Sequence, residues 1–262
     1  MNLKVYLHHK LIEPMELKSR NPFFGGKSYK SATDVYAADY EIMTVKGTVN
    51  KTFILFALLF AGAILPFYML LQGINPYPAA VGSVIVAIIM VVVSSISPKL
   101  SPYTAPAYAL FEGVFIGTVS LIFEAKYPGI VIQAVAGSLV TFGVCLALYR
   151  FGVVKVTEQF KSVVIAATLA ICTYYLISAL LGWIFGISLF HHGNSLVSIG
   201  FSIFVIIIAA LNLILDFDLV EQGARRQLPK YMEWFAGMGL VITMVWLYVE
   251  FLRLLSKLQS RN

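Results

Sequence analysis

The chain has 262 residues, 59% of them apolar and only 12% charged, with a net charge of +6 and a mean hydropathy of +0.84. Soluble domains run at about 45–50% apolar and about 25% charged. That excludes a soluble fold of this length, whereas a lipid bilayer can hide so much apolar surface. The basic excess sits beside apolar runs, where it is a topological signal, so a nucleic-acid-binding face is not expected.

Residues 1–50 are mixed and polar, with NPFFGG at 21–26 and scattered lysines. They read as a flexible tail, with Met15 a second candidate start. No apolar core lies near the start, so no cleavable leader is expected. Seven apolar runs follow, at about 52–73, 78–97, 103–123, 129–149, 163–186, 195–217 and 234–256. Each is near the ~20 residues that a helix needs to cross ~30 Å of hydrocarbon. The expected fold is therefore an all-α integral membrane protein with about seven transmembrane helices in residues 51–258. Pro66 and Pro106 fall within or near span ends, where membrane helices tolerate them. The connections are short, leaving no room for a soluble domain between spans.

Lysine and arginine alternate between connections. The tail is basic. The connection after span 4 holds Arg150, Lys155 and Lys161, and that after span 6 holds Arg225, Arg226 and Lys230. The connection after span 5 holds only His191 and His192, which read as exposed loop residues. This pattern argues for a cytoplasmic N-terminus. Arg253, Lys257 and Arg261 at the far end conflict with seven full crossings, so the last segment is either re-entrant or overruled by the other loops. Cys145 and Cys172 lie in apolar runs and read as small buried hydrophobes.

Ionisable groups inside spans are costly and mark functional positions. Four stand out: Glu112, Asp216, Asp218 and Glu250. Ala105, Ala109, Gly113 and Gly117 recur every four residues, forming a small-residue face for close helix packing. Glu112 lies at its edge; it supports either an ion pathway or packing alone. Asp216 and Asp218 are ~200° apart on a helix and cannot share a face. Asp216 shares one with Asn212, so it is expected to point inward. Asp218 shares another with Glu221 and Arg225, towards the cytoplasmic loop. Glu250 has Arg253 at i+3, so an intrahelical pair is the plain expectation. If the last two spans pack together, Glu250 also approaches Asp216. Two carboxyls so placed compete for one proton and, when ionised, offer oxygen ligands suited to Ca²⁺. No lysine lies within 234–256 for a retinal Schiff base. HExxH, an intramembrane Ser–His pair and a Gly-rich phosphate loop are all absent from the sequence, so neither an enzyme nor a resident cofactor is expected.

Several segments together resemble a known family. They are MTVKGTVNKTF at 43–53, SPYTAPAYALFEGVFIG at 101–117, YPGIVIQAV at 127–135 and LNLILDFDLVEQGARRQLPKYMEW at 211–234. The chain resembles the transmembrane Bax inhibitor motif proteins, in the bacterial Bax inhibitor/YccA-type branch. The resemblance implies six helices surrounding a C-terminal seventh. It also implies a pH-sensitive calcium leak in the bacterial inner membrane, controlled by paired acids on the last two helices. LILDFD fits the family's span 6 acid in two registers, at Asp216 or Asp218, and LYVEFLRLL places the last-helix acid at Glu250. Glu stands there where the family commonly has Asp, and the basic latch partner that the resemblance implies near span 2 has no clear match, Lys99 being the nearest basic residue. The expected partners are the lipid bilayer and calcium or another cation. A reading of another class is an interaction protein that modulates a membrane protease or other membrane complex through its tail. A proton-coupled transporter lacks the internal repeat that would support it.

Overall fold

The computed structural model describes residues 41–186, 193 and 195–261. The NPFFGG motif, Met15, His191 and His192 lie outside the described residues. Seven helices follow one another: α1 (Val45–Leu71), α2 (Tyr77–Ile96), α3 (Ser101–Lys126), α4 (Ile130–Arg150), α5 (Glu158–Phe185), α6 (Leu196–Arg225) and α7 (Met232–Gln259). A short 3-10 turn, Pro98–Leu100, joins α2 to α3. All seven are long and apolar enough to cross a membrane, and no strand occurs among the described residues.

α1 and α5 begin before their apolar runs, at ends capped by polar side chains. Thr44 accepts a hydrogen bond from the Gly47 N–H at 2.9 Å, so α1 begins at Val45, inside the stretch expected to be tail. Thr157 and Ser195 cap α5 and α6 in the same way. At α4 the cap comes from another helix: the Glu124 carboxylate accepts from the Gly129 and Val131 N–H groups at 2.6 and 3.1 Å. Gly129 itself is left-handed, with φ 84°.

α7 is one unbroken helix of 28 residues, long and apolar enough to cross a membrane. It is the most enclosed of the seven and packs against α1, α3, α4 and α6. One of its faces (Met238, Val241, Val245, Tyr248, Leu252) joins a core with α1, α2, α3 and α4. Another (Ala236, Leu240, Met244, Leu247) joins a core with α4 and α6. A helix buried on several faces in this way forms the centre of a bundle. α2 packs mainly on α3, and α5 mainly on α6. Because α5 is peripheral, Cys172 on it is exposed and not the buried residue expected from its apolar run, whereas Cys145 is buried.

The tightest packing joins α1 to α3. The stripe Leu55, Leu59, Gly62 and Pro66 of α1 is buried against Ala105, Ala109, Gly113 and Gly117 of α3. A Cβ on Gly113 would stand 2.1 Å from the Leu59 carbonyl oxygen and 3.0 Å from Gly62 Cα. Backbones this close gain dispersion and leave no lipid between them. Gly113→Ala should therefore lower the thermal unfolding midpoint in detergent, reflecting an overpacking cost of about 1–3 kcal/mol. Gly82→Ala, where a Cβ meets nothing within 4 Å, should leave the midpoint unchanged or raise it.

Candidate functional site

Asp216 stands on the side of α6 that faces α7. Its Oδ1 lies 4.0 Å from where a Cβ on Gly239 would be, and the Thr243 hydroxyl is within hydrogen-bonding reach. Thr243 Oγ1 also contacts the Gly239 carbonyl, as donor, at 3.2 Å. The second carboxylate oxygen, Oδ2, is buried and has no protein partner. One turn away, Asn212 Nδ2 donates to Thr168 Oγ1 of α5 and to the Ile208 carbonyl, both at 2.8 Å.

Glu250 lies fully buried on α7. Its carboxylate accepts from the Tyr175 hydroxyl of α5 at 3.0 and 3.2 Å and from Arg253 Nη1 at 2.8 Å. The Arg253 guanidinium also covers the Tyr175 ring, 4.7 Å from its centroid. Two turns on from Glu250, Lys257 is buried and donates to Ser202 Oγ at 2.7 Å and to the Ser198 carbonyl at 3.2 Å. α7 continues past the expected end of its span to Gln259, so Lys257 belongs to the helix and not to a solvated end.

The structure does not bring Asp216 and Glu250 together. Asp216 faces Gly239 and Thr243, and Glu250 lies seven residues beyond Thr243, about 10 Å of helical rise. The reason is register. α6 and α7 form an antiparallel hairpin with a short turn between Arg225 and Met232. A residue nine before the end of α6 (225 − 216 = 9) faces one about nine after the start of α7 (232 + 9 = 241), which is short of Glu250. Glu112 stands one turn from buried Tyr108 on α3. α3 and α6 pack on different faces of α7, so Glu112 is not joined to Asp216 either. Asp218 lies at the helix ends, 3.5 Å from Lys161 Nζ of α5 and 2.5 Å from Gln222 Nε2. Glu221 beside it pairs with Arg225 at 2.5 Å and accepts from the Tyr149 hydroxyl.

Three residues of α5 thus reach inward at intervals of seven. Lys161 meets Asp218, Thr168 meets Asn212, and Tyr175 meets Glu250. Between the Thr168 and Tyr175 levels sits an apolar cluster of Ile171, Val205 and Ile208, with Trp246 packed against it. The result is a polar seam along α5, α6 and α7, interrupted by an apolar plug.

Sequence reasoning missed Glu233. This acid is 1% exposed in the first turn of α7. Its Oε1 accepts from both the N–H and the hydroxyl of Thr44 at 3.0 Å, while Oε2 is buried with no protein partner. The carboxylate occupies the space over Gly47, where a Cβ would come within 1.9 Å of it. It therefore sits at the positive end of α1. Met43 completes the clamp: its N–H donates to the Leu228 carbonyl at 2.7 Å, and its sulfur lies over Gly223. An acid opening the last apolar run, in YMEW, was the available signal. Its partner lies 189 residues away, and no spacing rule reaches that far.

The family model described as Bax inhibitor 1 like matches residues 19–260. The chain belongs to this family. Neither a curated protein nor a solved structure matches it. The match spans all seven helices, so this Bax inhibitor family member is a multi-pass membrane protein whose bilayer surrounds the bundle. Among the described residues no group of three or more His, Cys, Asp or Glu is arranged to hold a metal ion. Glu233→Ala should leave the Thr44 donors unpaired in a buried site, costing about 1–3 kcal/mol. The check is a lower unfolding midpoint together with faster proteolytic cleavage around residues 41–44.

Proposed function

We propose that this protein is a passive, proton-modulated leak pathway for cations, calcium foremost, of the Bax inhibitor type. It would sit in a bacterial inner membrane with its N-terminus in the cytoplasm. The observation that carries this reading is Asp216, a carboxylate within a span whose Oδ2 is buried without a protein partner. Carboxylates are retained in such places where they hold an ion or a proton. The seam supports the reading by supplying further oxygens, from Thr243, Asn212, Thr168 and Tyr175, on three helices. In this reading the apolar cluster of Ile171, Val205 and Ile208 is the closed gate of the pathway. Opening then requires α5 or α6 to shift against α7, and the charge on Asp216 biases the two packings. In this reading Glu112 supports the pathway from α3, and Asp218 holds the inner end of α5 through Lys161.

The test is Ca²⁺ flux into liposomes holding the purified protein, measured from acidic to alkaline pH. The wild type should conduct with a clear pH dependence. Asp216→Asn should flatten it, because that side chain no longer exchanges a proton in this range. A wild type that conducts no better than empty liposomes at every pH would reject the leak. An unchanged pH profile in the variant would remove Asp216 from the mechanism.

A further inference from the structure

The seam holds a second set of charges, well away from Asp216. Within two turns of α7, Glu250 carries one formal negative charge, and Arg253 and Lys257 each carry a positive one. Glu250 is cancelled by Arg253 across a 2.8 Å ion pair. Lys257 is held by neutral oxygens, the Ser202 hydroxyl and the Ser198 carbonyl, and no other carboxylate pairs with it among the described residues. The cluster therefore carries a net formal charge of +1. The Glu250 side chain is 1% exposed and that of Arg253 39%, so the guanidinium covers the acid from outside. Tyr175 ties the cluster to α5, and Lys257 ties it to α6. It thus lies where all three walls of the seam meet, beyond the apolar plug. In surroundings of low dielectric one uncancelled charge acts strongly on a passing ion.

We propose that Glu250, Arg253 and Lys257 form the charge filter of this seam, their net positive charge holding cation flux down. The proposal rests on the cation-leak reading above. Glu250 is the one acid of the cluster that opposes the barrier, so the two members of the ion pair act in opposite directions. Removing Arg253 brings the cluster to zero, since Lys257 then balances Glu250. Removing the charge of Glu250 brings it to +2. A merely structural role for the ion pair predicts something else, because either substitution breaks the same contact.

The experiment compares wild type, Arg253→Gln, Arg253→Lys and Glu250→Gln in proteoliposomes. It reads cation flux and the reversal potential under a potassium chloride gradient. Arg253→Gln should raise cation flux roughly tenfold and Glu250→Gln lower it by a similar factor, with reversal potentials moving in opposite directions. Arg253→Lys keeps the charge and should stay near wild type. Changes of the same sign in the two neutral variants would overturn the filter. If Glu250→Gln does not fold, the Arg253 variants decide alone: equal flux in Arg253→Gln and Arg253→Lys overturns it. A wild type without flux rejects the leak reading itself and the filter with it, an outcome distinct from conduction that ignores Arg253.

Discussion

The architecture turns on keeping the buried acids and Lys257 of α7 out of contact with lipid. This helix carries Glu233, Glu250 and Lys257 as buried groups, and hydrocarbon solvates none of them. Each is instead met by a polar atom from another helix or from the chain leading into one: Thr44 for Glu233, Tyr175 for Glu250, Ser198 and Ser202 for Lys257. The enclosing wall must be continuous for this to hold. The glycine contacts between α1 and α3 close it on one side, with Gly62 against Gly113 and Ala63 against Gly117. On the other side α6 lies along α7 for most of its length, and α5 leans on α6.

The two sides are built differently. Where α1 meets α3, small residues let backbones touch, and such an interface has little room to rearrange. Where α5 meets the bundle, the contacts are widely spaced polar pairs around a small apolar cluster of Ile171, Val205 and Ile208. Hydrogen bonds between helices in a membrane contribute only about 0.6 kcal/mol each on average. α5 is the most sparsely packed helix of the bundle, and the ionisable partners it touches, Asp218 and Glu250, lie at different levels along it.

Much of this was legible in the residues. Seven runs of about 20 apolar residues specify seven spans, because hydrocarbon thickness leaves little choice of length. The four-residue recurrence of small residues in α3 announced a packing face. Helix ends were less legible, since capped turns such as Thr44–Gly47 start a helix within polar sequence where hydropathy gives no signal. The proposed meeting of Asp216 with Glu250 failed on register, which depends on where α6 ends and α7 begins. Glu233 was hidden by distance in sequence, and Cys172 by the peripheral place of α5. An apolar run shows that a helix is in the membrane; it does not show which residues face lipid.

The central position of α7 has a consequence for how the molecule is made. A chain leaves the ribosome in order, so the other six helices enter the membrane before the one they surround. Until then the bundle lacks its axis, Asp216 has no Gly239 or Thr243 opposite it, and Thr44 has no Glu233. A six-helix form would leave open the two apolar cores against which α7 packs, with the α1–α3 contact already able to form. Insertion of the last helix closes that gap from within, so the final packing of the whole protein waits on its arrival.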